Sequence, residues 1–326
     1  MLRLKSEITI GSLVFPYVTN CQINSSWESL TDTAIIELPT NITNKDNDYI
    51  KDIIKVNDKV EIKLGYHPNL VTRFVGYVSE VVPESPLKIM CEDEAFQLKQ
   101  STVNNYSKKN ATLKDVITDN YSGEVNIVDA VLGSFRIDRV TMIKVMQELR
   151  TKYKIFSWFR DGVLNSGLAY IPNSGVTEKF DFQYNVINGR NLAFTDETEL
   201  DTIAHGVSTQ PNGTKIELYT FYEKGTTGKI VTQEGNPGGD LNTITIPDRT
   251  KEQLTYFLET WLPNLYYTGF KGSFETFGEP AMNHGDIAEI IDRKFPEKNG
   301  KYLIKSVQIN FGQNGYKQSI ELDKKV

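Results

Sequence analysis

Three histidines, two cysteines and a scatter of carboxylates are the side chains of this 326-residue sequence that could do chemistry. A transition-metal site needs His, Cys or carboxylate ligands at short, regular spacings. His67, His205 and His284 have no such partner at ligand spacing. His67 falls in a turn and His284 precedes Gly285 at a strand entrance, so all three read as surface or turn histidines. Cys21 and Cys91 each lie in a strand-like run and read as free core thiols, with a disulfide as the alternative. Neither is placed beside a histidine as a nucleophile and base would be. Glycoside hydrolysis asks only for two carboxylates, and Asp93–Glu94, Glu197, Glu199, Asp201 and Glu279 are available. Acidic loop residues are, however, the background of a chain with net charge −6. Asp58 and Asp286 stand at matched strand entrances and read as turn residues that accept from nearby backbone amides. The Gly235-Asn236-Pro237-Gly238-Gly239 run lacks the following Lys-Ser/Thr of a phosphate loop. Phe221–Tyr222 and Tyr266–Tyr267 could stack on sugars or bases, but aromatics alternating in strands belong to cores and interfaces. No catalytic, cofactor-binding or metal-binding residue is assigned, and no enzymatic activity is expected.

The elements around these residues are mostly strands. In Val56–Asp93, Val60, Ile62 and Leu64 alternate with Glu61 and Lys63, the period of a half-buried strand. Phe74, Gly76, Val78 and Val81 mark a second run, and Leu87, Ile89 and Cys91 a third. Gly65, Pro68–Asn69 and Pro83-Glu84-Ser85-Pro86 punctuate them as turns. The pattern recurs near the C-terminus, where Asp286 matches Asp58, Tyr302 matches Phe74 and Asp323 matches Asp93. Such a long interval is not a solenoid period; it points to two copies of one β-domain.

Three regions follow. Residues 1–100 form a first small antiparallel β-barrel, with a short helix carrying Tyr49, Ile50, Ile53 and Ile54 on one face. Residues 101–175 form an α/β insert. There Thr112 caps a helix over Leu113–Tyr121 with Asp115 completing the box, and Thr141 caps a helix with Ile143, Val145, Met146 and Leu149 inward. Asp161–Gly162 turns a hairpin after the strand Lys154–Arg160. Residues 176–326 form the second barrel, with the strand Ile216–Tyr222 and a mobile glycine-rich loop over 226–241. A helix near 248–262 is the counterpart of the first barrel's short helix, its stripe running from Leu254 to Leu265, and Pro263 should end or kink it.

With 39% hydrophobic and 24% charged residues the chain should fold and stay soluble. Its acidic balance argues against stable nucleic-acid binding. No stretch is long and apolar enough to span a membrane, and the N-terminus lacks a signal sequence, so synthesis and folding in a cytoplasm are expected.

Four motifs in succession carry a family likeness: Ser26–Pro39, Val56–Tyr66, Phe74–Val81 and Ile89–Lys99. With Gly300–Phe311 they resemble the late control protein D family of phage tail proteins, the baseplate hubs of contractile tails. The likeness extends to the N-terminal region of type VI secretion VgrG spike proteins. It covers nearly the whole chain in order. The resemblance implies a homotrimeric ring in which two barrels per chain give six similar barrels around a channel. Such a ring adapts a sixfold tail tube on one face to a threefold central spike on the other. Because the sequence ends at Val326 without a spike domain, the spike is expected to be a separate polypeptide. The expected location is the baseplate of a virion tail, prophage tail or tail-like particle, assembled in the bacterial cytoplasm. The competing reading is a glycan-binding or cell-wall-degrading tail component.

Overall fold

The computed structural model describes residues 3–44, 47–167, 176–195, 201–210, 212–223, 228–266 and 268–326. The first repeat contains strands β1 (Leu4–Ile10), β2 (Leu13–Phe15), β3 (Asn20–Ser26) and β4 (Thr33–Leu38), then helix α1 (Ile50–Ile53). Strands β5 (Lys59–Tyr66), β6 (Val71–Val82) and β7 (Leu87–Glu92) complete it. The insert follows as α2 (Ala95–Gln100), β8 (Thr102–Val103), β9 (Tyr106–Thr112), α3 (Leu113–Thr118) and β10 (Val125–Ile127). It continues as β11 (Val131–Ile137), β12 (Val140–Thr141), α4 (Met142–Tyr153), β13 (Phe156–Arg160) and β14 (Val163–Gly167). The last part holds β15 (Thr177–Asp181), β16 (Val186–Thr195), β17 (Thr202–Thr209), β18 (Lys215–Tyr222), β19 (Ile230–Gln233) and β20 (Asp240–Thr245). Helix α5 (Lys251–Leu265) and strands β21 (Gly269–Phe277), β22 (Ile287–Ile291), β23 (Gly300–Gly312) and β24 (Gly315–Lys325) close the chain.

The fold is mainly β with an α/β insert, and the repeat is present. In the first copy the strand order is β3-β4-β7-β6-β5-β1; in the second it is β16-β21-β24-β23-β22-β15. The two copies are joined through a shared sheet and a continuous core. An antiparallel pair of β23 with β3 joins them into one 13-stranded sheet. One hydrophobic cluster runs through both, from Ile8 and Ile62 to Phe274 and Ile320. Pairing is antiparallel throughout the first copy, but β15 runs parallel to β22, a departure from the all-antiparallel expectation.

The register of the repeat differs from the match read off the sequence. Val60 faces Gly76 in the first copy and Ala288 faces Tyr302 in the second, so Tyr302 corresponds to Gly76 and not to Phe74. The turn between the second pair is two residues shorter. On the following strand, Met90 corresponds to Glu321, which moves the match by one. A β-bulge sits at the same place in both copies, between Val78 and Glu80 and between Ile304 and Ser306. A bulge adds a residue to one strand without changing its neighbour, and hydrophobic alternation alone does not count it.

The second copy is interrupted by a separate unit. Strands β19-β18-β17-β20 form a four-stranded sheet covered by α5. Leu254, Leu258 and Leu262 point from one face of α5 into a cluster with Ala204, Leu218 and Ile244. Ile216–Tyr222 therefore belongs to this sheet and not to the repeat. Part of the glycine-rich stretch is ordered strand, β19 and β20. Helix α5 lies between the equivalents of β3 and β4, whereas α1 lies after β4, so the two helices are not counterparts. Pro263 is inside the last turn of α5, which ends at Leu265. A Thr250–Gln253 capping box starts it.

The insert has its own core, in which Val116, Ile117, Phe135, Val145, Met146 and Leu149 pack together. The Thr112–Asp115 capping box is formed as the spacing predicts, and α3 stops at Thr118, short of Tyr121. Thr141 stands at the N-cap of α4 but its side chain makes no capping hydrogen bond. Asp161 and Gly162 both take positive φ, 52° and 79°, as a tight hairpin turn between β13 and β14 requires. The strand expected at Leu168–Ile171 lies outside the described residues.

Candidate functional site: the seam between the two repeats

The seam starts from strand β23, which is long enough to serve two neighbours on one edge. Ile290 to Ile287 of β22 take Gly300–Leu303, and β3 takes Ser306–Gly312. The bulge between them lets the strand bend from one partner to the other. Beside it the Ser26 hydroxyl and the Trp27 N–H both reach the Lys305 carbonyl, each at 3.4 Å. The Lys305 ammonium sits between Glu28 Oε2 at 2.9 Å and Glu321 Oε1 at 3.4 Å. Trp27 packs edge-on against Phe156 of the insert, 4.7 Å between ring centres, so the insert is clamped onto the seam.

Arg73 fastens the first copy to the second from inside. Its Nη2 donates to the Met282 carbonyl at 2.7 Å and to Gln318 Oε1 at 3.4 Å, and its Nη1 donates to the Tyr316 hydroxyl at 3.3 Å. Gln318 Nε2 donates in turn to the Pro280 carbonyl at 2.6 Å. Arg73 is buried although its neighbour Phe74 is buried too. The cause is a bulge: Ile62 pairs Phe74 and Lys63 pairs Thr72, leaving Arg73 as the extra residue turned inward. Strict alternation would have placed it in solvent, and no sequence signal marks it.

A cavity of about 400 Å³ opens where the first copy, the insert and the second copy meet, lined by Asp32, Asp93, Glu94, Arg160 and His284 among others. Asp32 accepts from the Ser25 hydroxyl at 2.5 Å and from the Ser26 N–H at 3.0 Å. His284 Nε2 lies 3.8 Å from Asp32 Oδ2. Arg160 donates to the His284 carbonyl at 2.6 Å. Burial pushes the Asp32 carboxyl up to about 6 against the pull of these donors. Burial, with the Arg160 charge beside it, pulls the His284 imidazole down to about 3. Asp93 is also raised by burial and by Asp32, while its carboxylate accepts from the Ala95 N–H at 3.0 Å. The Arg160 bond ties the insert to the second copy, while Asp32 and Asp93 are held by donors within seven residues of them.

His284 is therefore not a surface histidine; it is 1% exposed. His67 is exposed as expected. His205 is half-buried, its ring stacked on Tyr219 at 4.4 Å with Nδ1 3.0 Å from Thr243 Oγ1. Asp93 and Glu94 reach the cavity, whereas Glu279 is exposed elsewhere, beside the Tyr66 N–H at 3.4 Å. Asp201 is exposed at the start of the satellite sheet; Glu197, Glu199 and Tyr267 lie outside the described residues. Tyr222 and Tyr266 meet edge-to-face at 5.0 Å, packed against the satellite core. Cys21 and Cys91 are free and buried on either side of β4. Within the Gly235–Gly239 loop the Gly238 N–H donates to Asn236 Oδ1 at 2.8 Å, an internal turn. Among the described residues no cluster of His, Cys, Asp and Glu is arranged to hold a metal ion. No described helix is long and apolar enough to cross a membrane.

The expectation for Asp58 and Asp286 holds. Asp58 Oδ2 accepts from the Lys55 N–H and Asp286 Oδ2 from the Asn283 N–H, each at 2.8 Å. The residue before each has positive φ, 77° at Asn57 and 86° at Gly285. Each turn is then pinned to its neighbour by the same two bonds. Asn57 N–H donates to the Val78 carbonyl and Gly285 N–H to the Ile304 carbonyl, both at 2.8 Å; Val78 and Ile304 return theirs to Asp58 and Asp286, both at 2.9 Å.

Comparison of the sequence with protein-family models and with curated proteins gives no match. Solved structures do match. A tail protein from Neisseria meningitidis aligns with a TM-score of 0.64 at 12% identity, covering 98% of this chain and 96% of that one. The 43 kDa tail protein of prophage MuSo2 from Shewanella oneidensis aligns at 0.56 and 16% identity, covering 98% and 97%. The fold is that of a phage tail protein. An E. coli type VI secretion component, described as structurally similar to the T4 tail proteins gp27 and gp5, aligns at 0.55 and 10% identity. That alignment covers 97% of this chain and 76% of the other. At these identities the tail-protein fold is retained while side chains are almost wholly replaced, which suits a scaffold specified by sheet register and core volume.

Proposed function

We propose that this chain is the structural hub subunit of a baseplate, in a phage tail or a tail-like contractile injection system. Three copies form a ring, one face of which meets the tail tube while the other meets a central spike. The observation that carries this reading is the repeat itself. Two copies of one unit, with the same bulge and the same aspartate-pinned turn, make three chains present six similar units. That is what a connector between sixfold and threefold partners requires. The role in this reading is mechanical and not enzymatic: the buried Asp32 and Asp93 of the central cavity are taken up by the Ser25 hydroxyl and the Ser26 and Ala95 N–H groups. The location that follows is the tail of a virion, prophage particle or related machine.

Light scattering behind size exclusion, over a range of concentrations, tests the assembly. A mass three times the 37.0 kDa of the chain supports the ring. A monomer at every concentration counts against it.

A further inference from the structure

The internal seam has a counterpart that the single chain leaves open. In the second copy, β23 runs past β22 and its next residues pair with β3 of the first copy. In the first copy, β6 also runs past its neighbour: β5 reaches only as far as Tyr77, and the following turn only as far as Val78. Beyond the matched bulge, Glu80–Val82 have β7 on one edge and no strand on the other among the described residues. The strand equivalent to β3 is β16, which among the described residues pairs only with β21 and ends the sheet. One half of the seam contact is thus left open on β16, at one end of the sheet, and the other on the Glu80–Val82 extension of β6, inside it.

The register follows from the pairings. Gln22 faces Ile35, which faces Met90; Asn191 faces Ser273, which faces Glu321. Met90 and Glu321 stand opposite Glu80 and Ser306, directly after the two bulges. Gln22 therefore corresponds to Asn191, and counting along the strands brings Ser26 to Thr195. The inward faces agree, since Ile23 is buried and its equivalent Leu192 packs against the same core. Within the seam Ser306, Val307 and Gln308 face Ser26, Ser25 and Asn24.

We propose that the free edge of β16 pairs antiparallel with Glu80–Val82 of a second copy of this chain, repeating between chains the contact that β3 and β23 make within one. Glu80 then faces Thr195, Val81 faces Phe194 and Val82 faces Ala193. The proposal rests on the self-assembly reading above and names the surfaces that would make it. The two edges differ, so the contact is heterologous and propagates around a ring instead of closing a twofold dimer. β16 is ten residues long and contains no proline, and the register shifts in its pairing with β21 lie before Asn191, outside Ala193–Thr195. On the other side Pro83 cannot donate to a ladder, which limits the pairing to three residues. So short a ladder sets register, and flanking surface must supply the rest of the area that a stable interface needs.

The test is disulfide trapping in the full-length protein. Directly opposed residues on antiparallel strands stand about 4.5–5.5 Å apart at Cα, within the range a disulfide spans. One preparation carries Val82→Cys, another Ala193→Cys; Val82 is half-buried and Ala193 exposed, so both substitutions are mild. The native thiols are buried and serve as the background control. On oxidation, a chain-to-chain cross-link in the mixture, absent from either preparation alone, is the expected result. A cross-link in the Val82→Cys preparation alone would reveal a twofold contact and overturn the proposal. Multimers by light scattering with no cross-link in the mixture would overturn the edge pairing and leave the ring standing. Monomers with no cross-link would remove both.

Discussion

His284 Nε2 and Asp32 Oδ2 lie 3.8 Å apart at the junction of both repeats and the insert, and burial drives each toward its neutral form. Asp32 rises to about 6 and His284 falls to about 3, so the pair does not behave as a salt bridge at neutral pH. The groups facing it are Arg160, Ser25, Asp93 and Glu94. A carboxyl and an imidazole at this site pull stability in opposite directions as the pH falls.

The histidine's share can be isolated. Its folded-state value is below its ordinary 6.5, so the unfolded chain binds the proton first and stability is lost as pH falls from about 6.5 toward 3. Asp32 is raised above its ordinary 3.8, so it restores stability as pH falls through about 6 toward 4. Removing the imidazole with His284→Gln should therefore flatten the loss between pH 7 and pH 5 by about 2 kcal/mol relative to the parent. Urea unfolding at the two pH values measures it. An identical pH difference in both proteins would refute the assigned burial effect.

Arg73 should be among the least replaceable polar residues. Arg73→Ala removes the Arg73 donors of the Met282 carbonyl and the Tyr316 hydroxyl inside the seam and leaves Gln318 Oε1 to the Met282 N–H. A loss of about 2–4 kcal/mol is expected in denaturant unfolding. Arg73→Lys should recover only part of it, because an ammonium lacks the fork that reaches several acceptors. Full recovery by lysine would show that the charge alone matters.

The matched aspartates predict an unequal pair of mutants. Asp58 and Asp286 make the same turn bond, but Asp286 is buried and Asp58 is half-exposed. Asp58→Ala should cost about 1 kcal/mol, an ordinary hydrogen bond. Asp286→Ala should cost more, since water cannot take the place of the lost acceptor. Thermal unfolding of the two variants side by side decides it, and equal shifts would contradict the burial argument.

Cys21 and Cys91 should be silent to thiol reagents while the protein is folded. Both are buried and free, and burial pushes the Cys21 thiol up to about 12 and Cys91 higher still. The thiolate is the reactive species, so alkylation is expected only after denaturation, when two groups per chain react. Fast labelling of the native protein would show that β4 opens on the timescale of the reaction.

Gly76 is held by close backbone approach. A Cβ there would collide with the Glu92 carbonyl oxygen and the Asp93 Cα. Gly76→Ala should therefore prevent the pairing of β6 with β7 or cost several kcal/mol, read by circular dichroism and thermal melting. A wild-type melting temperature would mean that the two strands can separate at this point without penalty.

The features legible in the sequence were those set by neighbours along the chain. Alternation in Val60–Leu64 and Leu87–Cys91 gives strands because a pleat turns successive side chains to opposite faces. Asp161–Gly162, the Thr112–Asp115 box and the Asp58 and Asp286 turns are local hydrogen-bond or backbone solutions, complete within four residues. The repeat could be seen for the same reason: each copy carries its own turns and alternation. Tertiary structure decided what alternation cannot encode. Bulges after Val78 and Ile304 and at Arg73 shift register by a residue, so the residues facing one another across strands could not be counted from the pattern. His284 looked like a turn residue and became buried only because Arg160 of the insert and Asp32 of the first repeat close over it. Ile216–Tyr222 had the period of a barrel strand, but α5 offered its sheet a different apolar face to cover. Period specifies which side of a strand is apolar; which partner covers that side is a contact between distant parts of the chain, settled only when they pack.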